Sequence, residues 1–422
     1  MTPDSVQPLD QNRAKPKVVR IIGRLNVGGP ARQACFLHQA LRGNLETVLI
    51  AGRLDEHEGD MSYLLTSEEG VYWVPSMSRS VRLWSDFLAF LRIVRILSKE
   101  KPEIVHTHTA KAGALGRLAA AMLRVPVRVH TYHGHVFHSY FGSIQTRMWL
   151  AIERALNRLT TRTVAISESQ ANELVRAYKV APAHRVSVIH NGYDLSLFGS
   201  DSNAKQAREF RRVFGFDDSH FVVLWAGRLV PIKNVELLAE IVGRAKRSPK
   251  LHFLVVGDGN DRCKLENLTT GCSNIRIAGW RQDIPLLWAA ADAALVTSRN
   301  EGTPTALIEA MASRKPFVST NVGGVIDLAA PPNQVDSHSS IVRAGNGFLT
   351  PLEADPMLDC LEFLAGNPDV ALTMGNVGRT FALTHYSDEG LQADIEQLYD
   401  GLLSSACLTT PPETRPSLTE PA

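Results

Sequence analysis

Short apolar runs alternate with longer stretches of helical periodicity along most of the chain. The first half contains predicted strands at 18–23, 47–51, 71–74, 104–107, 127–132 and 162–166, and predicted helices at 30–41, 80–99, 111–123 and 145–158. Continuous apolar strands separated by helices are typical of a parallel α/β sheet that is covered on both faces. We therefore predict one such sheet in the first half.

The alternation stops and then restarts. Turn residues at 191–194 and the small, polar segment 199–205 predict a linker. Beyond it lie predicted strands at 221–226, 252–256, 275–278, 293–297 and 317–320, and predicted helices at 234–246, after Asp261, at 304–312 and onward to Leu383. Two Rossmann-like, doubly wound domains follow, at 17–198 and 199–385, and their facing strand ends would form a ligand cleft.

The remaining segments lie outside both predicted sheets. The amphipathic stretch at 386–403 is expected to form a helix that packs back on the first domain. The polar N-terminus, 1–16, and the Thr-, Pro- and Ser-rich tail, 404–422, are expected to be disordered.

Composition excludes several classes of protein. The chain has 422 residues and a formal net charge of +2, so bulk attraction to nucleic acid is not expected. Its five cysteines show no paired metal-ligand spacing and no run of about 18 apolar residues occurs, so we expect neither a secretory leader nor a membrane span. We expect a cytoplasmic protein without a nucleic-acid partner, with a peripheral position on the cytoplasmic face of the inner membrane as the alternative.

An acidic motif, 298–311, joins the apolar strand at 293–297 to a helix. Thr303 is predicted to cap this helix and Pro304 to open it, so that its free amides can bind a phosphate. Glu301 and Glu309 can accept hydrogen bonds from hydroxyls of sugar and ribose, and helical geometry would put them about 12 Å apart. The alternative is that both are solvated surface charges.

A basic motif, 225–234, also runs from a strand through a loop into a helix. Lys233 precedes Asn234, the predicted helix cap, and a cation there is unfavourable unless an anion lies nearby. Arg228 adds a guanidinium, so the pair suits a diphosphate. The alternative is two solvated loop charges.

The order of these motifs resembles family 4 glycosyltransferases of the GT-B fold, over about residues 18–403. The matching elements are Gly227-Arg228 with Lys233, 256–259, 279–280, Glu301 with Glu309, 322–324, and upstream Gly28-Gly29, 106–113 and 131–135. The resemblance implies retaining transfer of a hexose or N-acetylhexosamine from a nucleotide diphosphate sugar.

The resemblance also implies roles for particular residues. Arg228 and Lys233 would hold the donor diphosphate, Glu309 the ribose and Glu301 the transferred hexose. His133 would line the cleft near the donor sugar. The implied donor site further includes Gly28, Gly29, Gly302, Thr303 and Pro304, and the implied catalytic set is His133, Glu301, Arg228 and Lys233.

No cofactor is expected, because the nucleotide sugar, by resemblance a UDP-sugar, is itself a substrate. The chain contains no Asp-x-Asp sequence to bridge a metal to the donor phosphates. The histidines at 130, 133, 135 and 138 have no neighbouring carboxylate or cysteine to complete a metal site.

The first half also contains a candidate acceptor site. The segment 106–113 and the apolar, aromatic segment 135–142 resemble the branch of the family that extends lipid-diphosphate-linked sugars in bacterial surface polysaccharides. Candidate acceptor contacts are His106, His108, Lys111, His135 and Phe137. The basic, apolar helix predicted at 80–99 could lie on an anionic bilayer or pack on the sheet with a solvated basic face.

Two other functions remain open. A sugar-nucleotide 2-epimerase of the same fold would alter the free nucleotide sugar without an acceptor. A nucleotide-sugar-binding subunit without activity would retain the phosphate and ribose contacts.

Overall fold

The computed structural model describes residues 15–26, 29–54, 59–78, 80, 82–133, 143–335 and 340–409. The chain forms two compact units. The first contains the residues up to Ile166, Glu173–Ile189 and the residues from Gln392 onward, and the second contains Ser167–Asn172 and His190–Leu391. The division therefore falls at His190 and not at the predicted 198/199 boundary.

The first unit is built on a seven-stranded parallel sheet. Its strands are β1 (Lys17–Ile22), β2 (Glu46–Gly52), β3 (Val71–Val74), β4 (Ile104–His108), β5 (Val127–Tyr132), β6 (Arg162–Ala165) and β7 (Val186–Val188), in the order β3-β2-β1-β4-β5-β6-β7. The helices of this part of the chain are α1 (Gly29–Ala40), α2 (Leu83–Glu100), α3 (Ala110–Met122), α4 (Ser143–Arg158) and the short α5 (Glu168–Asn172), which belongs to the second unit. The strand order reverses between β1 and β4.

The second unit has an eight-stranded sheet. Its strands are β8 (Phe221–Ala226), β9 (Leu251–Val256), β10 (Ile275–Gly279), β11 (Ala293–Val296), β12 (Phe317–Thr320), β13 (Gln334–Val335), β14 (Val342–Ala344) and β15 (Gly347–Thr350), in the order β10-β9-β8-β11-β12-β15-β14-β13. The remaining helices are α6 (Asp201–Val213), α7 (Val235–Arg244), α8 (Arg262–Leu268), α9 (Ile284–Ala290), α10 (Thr305–Ala312), α11 (Ala354–Gly366), α12 (Pro368–Tyr386) and α13 (Asp388–Thr409). Here the order reverses between β8 and β11, and ligands of such sheets bind beyond the strand ends at the reversal.

Both faces of the second sheet are buried. Along β8, Val222 and Leu224 pack into one apolar cluster, whereas Val223 and Trp225 pack into another. This explains the continuous apolar strands and confirms the prediction of two parallel α/β sheets. None of the helices in the described part of the chain is long and apolar enough to cross a membrane.

Two local predictions are wrong, and several strands are missing from the prediction. The predicted linker 199–205 contains the start of α6, because the Ser200 hydroxyl accepts a hydrogen bond from the Asn203 amide (3.4 Å) and caps the helix. The tail predicted to be disordered from residue 404 continues α13 to Thr409. Strands β7, β13, β14 and β15 were not predicted; β13 pairs antiparallel with β14, and β14 pairs antiparallel with β15.

Helix α13 contacts the first unit through its residues beyond Gln392. The Tyr399 hydroxyl lies 2.6 Å from Nδ1 of His106 and 3.2 Å from a guanidinium nitrogen of Arg20. Both partners are fully buried, on β4 and β1 respectively. A residue of the last helix is therefore part of the buried interior of the first unit.

Candidate active site

A cavity of about 260 Å³ lies beyond the ends of β8 and β11, where the strand order reverses. The loop from β8 to α7 and the loop from β11 to α10 supply most of its lining. The lining residues are Trp225, Ala226, Gly227, Arg228, Lys233, Val296, Ser298, Glu301, Thr303, Pro304, Thr305 and Ala306. The basic and acidic motifs, which are distant in sequence, thus line one cavity.

An ion pair joins the two loops. The Lys233 ammonium donates to Oε1 of Glu301 at 2.5 Å, and both side chains are largely buried. The Ser298 hydroxyl donates to the same carboxylate oxygen. Arg228 lines the cavity with an exposed side chain. The cavity therefore offers one cation held by a carboxylate and a second that extends to solvent.

Further hydrogen bonds fix the position of the Lys233 loop. The Thr297 hydroxyl accepts from the Trp225 indole (3.1 Å) and donates to the Lys233 carbonyl (2.9 Å). Asn234 precedes α7 as predicted, but its side chain does not cap the helix. Its carbonyl oxygen accepts from the Arg299 guanidinium (2.8 Å) instead. The loop is thereby tied to the residues that follow β11.

Two glycine-containing segments, 256–259 and 322–324, lie against the backbone of these loops. A Cβ on Gly324 would lie 2.2 Å from the Gly302 carbonyl oxygen, and one on Gly257 would lie 1.8 Å from that of Gly227. The Gly324 amide donates to the Glu301 carbonyl (3.0 Å). Only glycine permits such close backbone approach. These segments therefore position the cavity loops, which gives a structural reason for the glycines among the elements that carry the family resemblance.

The start of α10 differs from the prediction by one residue. The helix begins at Thr305, and Pro304, which has extended backbone angles, occupies the cap position without a side-chain hydrogen bond. Thr303 is therefore not the cap. Thr305 and Ala306 both line the cavity, so the amino end of α10 lies at the cavity, where the helix dipole favours an anion.

Glu309 lies one turn farther along α10, on the same side as Thr305. Its Oε2 accepts a hydrogen bond from the indole of Trp288 (3.1 Å), a side chain that is fully buried. The distance of about 12 Å expected between Glu301 and Glu309 assumed a continuous helix. That assumption is wrong, because Glu301 lies in the loop before α10.

In the first unit, His133 follows β5 and meets His108 at the end of β4. His133 Nε2 lies 2.9 Å from His108 Nδ1. Burial lowers the pKa of His133 to about 3 and holds the pKa of His108 well below its usual range. Both imidazoles are therefore neutral near neutral pH, and one donates to the other.

Two other acceptor candidates, His106 and Lys111, contact side chains of the protein itself. His106 is fully buried, with its Nε2 2.7 Å from the Thr131 hydroxyl and its Nδ1 at Tyr399, so the predicted acceptor contact is corrected to an interior role. The Lys111 ammonium pairs with Asp86 at 2.5 Å and joins α3 to α2. Gly29 begins α1. Gly28, His135 and Phe137 lie outside the described residues.

Several residues of both units escaped the sequence analysis. Thr297, Ser298 and Trp288 hold the candidate site residues. Tyr399 holds His106 and in turn accepts a hydrogen bond from Arg20. Arg20 could have been found, since it interrupts an otherwise apolar strand. The others show no distinguishing pattern. Among the described residues, no group of three or more His, Cys, Asp or Glu side chains is arranged to hold a metal.

Comparison with known proteins adds independent information. The model of the family described as Glycosyltransferase Family 4 matches residues 27–197. The model of the family described as Glycosyl transferases group 1 matches residues 220–354. A UDP-Gal:alpha-D-GlcNAc-diphosphoundecaprenol alpha-1,3-galactosyltransferase of Escherichia coli is 31% identical over 276 residues, which are 64% of this chain and 70% of that protein.

Two further similarities cover nearly the whole chain. The capsular polysaccharide biosynthesis glycosyltransferase CapM of Staphylococcus aureus is 24% identical over 378 residues, 87% of this chain and 94% of that protein. The crystal structure of Anabaena HepE in complex with UDP matches with a TM-score of 0.71 and 21% identity, over 91% of this chain and 100% of that chain.

Proposed function

The chain belongs to the family 4 glycosyltransferases and has their GT-B fold, and from that premise we propose that it transfers a hexose or N-acetylhexosamine from a UDP-sugar to a lipid-linked glycan with retention of configuration. The observation that carries the proposal is the cavity in the second unit, where Arg228, Lys233, Glu301 and the amino end of α10 converge. A diphosphate with a sugar attached fits this combination of cations, helix dipole and carboxylate.

UDP is the proposed nucleotide. The Escherichia coli relative is named for UDP-Gal, and HepE crystallised with UDP. In the proposed binding mode, Lys233 and Arg228 contact the diphosphate, as do the backbone amides around Gly302, Thr303 and Pro304. Glu309, which is oriented by Trp288, accepts hydrogen bonds from the ribose hydroxyls. Glu301 accepts hydrogen bonds from hydroxyls of the transferred sugar.

The ion pair gives the site a way to respond to its donor. A diphosphate next to Lys233 competes with Glu301 for the ammonium, and its higher charge favours the exchange. Glu301 then becomes available to the sugar hydroxyls. Donor binding and sugar orientation are thus coupled through one side chain.

The proposed chemistry is displacement at the anomeric carbon. The acceptor oxygen bonds to the anomeric carbon as the bond between that carbon and the phosphate oxygen breaks. The acceptor proton passes to the departing phosphate on the same face of the sugar. Negative charge grows on the diphosphate, so Lys233, Arg228 and the α10 dipole stabilise the transition state more than the bound donor. We propose that these groups act without a divalent metal, which agrees with the absence of an Asp-x-Asp sequence.

The proposed acceptor is a glycan on a lipid diphosphate. This follows the names of the relatives, one of which acts on a diphosphoundecaprenol-linked sugar while the other serves capsule synthesis. His133, which follows β5, is the described residue proposed to lie near the transferred sugar, and the fully buried His108 at the end of β4 would hold it in place through their 2.9 Å contact. Such an enzyme would work at the membrane surface, where its acceptor is held.

A donor screen tests this function. UDP release is measured from a panel of UDP-sugars with and without a lipid-diphosphate acceptor, and the anomeric configuration of the product is read by NMR. We expect acceptor-dependent release from one donor and a retained configuration. Conversion of the nucleotide sugar without acceptor would identify an epimerase, and UDP binding with no turnover for any donor would identify a binding subunit.

A further inference from the structure

Helix α2 exposes a row of large apolar side chains. Leu83, Trp84, Phe87, Leu88 and Leu91 are between 44% and 86% exposed. The rings of Trp84 and Phe87 lie 6.0 Å apart and form one surface. Single exposed apolar residues are ordinary, whereas a contiguous apolar surface marks a site of interaction.

These residues are not needed to hold the helix in place. Ala89, Ile93, Ile96 and Leu97 on the opposite side are buried in the apolar cluster against the sheet of the first unit. Helix α2 is therefore fixed by one face, and its other face is exposed in the part of the chain that the structure describes. This excludes the explanation that the outer residues complete the core.

The charges around this apolar row are all positive. Arg82, Arg92, Arg95 and Lys99 are exposed, and Arg95 continues the line of Trp84, Leu88 and Leu91 at helical spacing. Both acids of the helix are engaged inward, because Asp86 pairs with Lys111 and Glu100 pairs with Lys17 (3.2 Å). Lys99 lies 3.8 Å from Glu100, whereas Arg92 and Arg95 form no ion pair with another described residue. The outer face therefore combines bulky apolar side chains with unpaired arginines.

We propose that this face, defined by Leu83, Trp84, Phe87, Leu88, Leu91, Arg92 and Arg95, docks on an anionic lipid bilayer. The apolar side chains would enter the boundary between head groups and acyl chains, and the arginines would contact lipid phosphates. Trp84 suits this depth because indoles favour the interface. From Trp84 to Arg95 the row extends about 17 Å along the helix axis, so the helix would lie flat on the surface.

A second copy of the chain fits this face poorly. In a two-fold dimer the same patch meets itself, which would bring the arginines of both copies together. The exposed face carries no acid to pair with them. A bilayer supplies both the apolar layer and the opposite charge.

Vesicle co-sedimentation of the full chain tests the proposal without any sugar substrate, so its outcome is independent of the proposed function. The vesicles contain phosphatidylcholine alone or with about one third phosphatidylglycerol, to supply negative surface charge. We expect the chain to bind the anionic vesicles and to bind the neutral ones far less. Failure to bind anionic vesicles overturns the proposal.

Two double variants assign the binding to this face. Arg92→Gln with Arg95→Gln should weaken binding to anionic vesicles by about 25-fold, at roughly fivefold for each basic residue. Leu88→Ser with Leu91→Ser should weaken it by at least about tenfold. The matched controls are Arg208→Gln with Arg212→Gln and Leu268→Ser with Leu372→Ser, which change exposed residues of the second unit.

Three further readings complete the test. The fluorescence of the wild type should shift to the blue on anionic vesicles, and the Trp84→Phe variant should lose that shift. Thermal unfolding of each variant must match the wild type, so that lost binding is not lost folding. Face variants that bind as well as the controls overturn the assignment, and so does a wild-type dimer that Leu88→Ser with Leu91→Ser converts to a monomer.

Discussion

The Lys233 ammonium and the Glu301 carboxylate, 68 residues apart in sequence, form a largely buried ion pair of 2.5 Å between the loops that follow β8 and β11. The pair holds the two loops together in the free protein. It also means that the cation proposed for the donor diphosphate already has an anionic partner.

Glu301→Gln should separate binding from transfer. The amide keeps the shape of the side chain but releases Lys233 from competition, so UDP should bind as tightly as in the wild type or a few-fold more tightly. Transfer should fall by about 100-fold, because the sugar loses a charged acceptor that is oriented in the transition state. Calorimetry with UDP and a UDP-release assay measure the two effects. The control is Glu240→Gln, which removes a carboxylate from an exposed ion pair on α7; equal effects of the two variants would contradict the prediction.

Trp288→Phe should weaken UDP binding without touching the ligand. The indole holds Oε2 of Glu309, and its loss leaves that carboxylate free to rotate. We expect about a fivefold to tenfold loss of affinity, equivalent to about 1 kcal/mol for one hydrogen bond. A double-mutant cycle with Glu309→Gln measures the coupling. Additive effects of the two substitutions would show that Trp288 does not act through Glu309.

Alanine at Gly324 should disrupt the site while the fold remains. Its Cβ would lie 2.2 Å from the Gly302 carbonyl and would push the Glu301 loop away from Lys233. UDP affinity should fall at least about tenfold, since the charged groups would no longer converge. Gly243→Ala is the control, because that helical glycine has nothing within 4 Å of its Cβ and alanine there should stabilise α7 slightly. Unchanged UDP binding in Gly324→Ala would contradict the role assigned to segment 322–324.

The sequence reveals this site unevenly, and the reasons are physical. Strand ends are visible because apolar runs stop where the backbone leaves the sheet, so Arg228, Lys233 and Glu301 could be assigned to loops that follow strands. The strand order that brings these loops together is seen only in the structure. The partner of Glu309 could not be identified, because Trp288 reaches it only through the packing of α9 near α10. The composition of 199–205 concealed α6, which is capped by Ser200 and packs against the core through the partly buried Phe210 and Phe214.

The histidines of the first unit show the same limit. His106 and His108 are two residues apart on β4, so the sequence predicts that both point to the same face of the sheet, and their rings are indeed stacked 4.4 Å apart. The sequence does not display the contacts that each of them makes. The deciding partner of His106 is Tyr399, which lies 293 residues away. Only the structure shows that both histidines are fully buried and that His108, not His106, contacts His133.

Tyr399→Phe should destabilise the first unit. The substitution leaves Nδ1 of buried His106 without its 2.6 Å contact and removes one of the acceptors of buried Arg20. We expect a loss of about 1–3 kcal/mol in the free energy of unfolding, because buried polar atoms lose their partner. Urea unfolding followed by fluorescence measures it. Tyr63→Phe, at an exposed tyrosine, is the control; equal stability of both variants would contradict the interior role.

Acid should destabilise the protein through its buried histidines. Burial lowers the pKa of His133 to about 3 and of His38 to about 4, and it holds those of His106, His108 and His130 well below their usual range. The unfolded chain therefore binds protons below about pH 6.5 that the folded chain does not. Stability is complete above that pH and falls as the pH is lowered toward the folded values.

The size of this loss can be measured. From pH 6.5 to 5 each such histidine contributes up to about 2 kcal/mol of destabilisation. Denaturant midpoints measured across this range should fall steadily, and His108→Asn, which removes one titrating group, should make the fall less steep. A stability that is constant from pH 6.5 to 5 would show that these imidazoles are not neutral in the folded protein.

Calorimetric titration with UDP tests the central claim most directly, using the wild type, Lys233→Met and the control Lys264→Met, which removes an exposed lysine paired with Glu236. The wild type and the control should bind one UDP with equal affinity, whereas Lys233→Met should bind at least about tenfold more weakly, because a charge-assisted contact to the diphosphate is lost. Equal affinity in Lys233→Met and the wild type would contradict the proposed donor site.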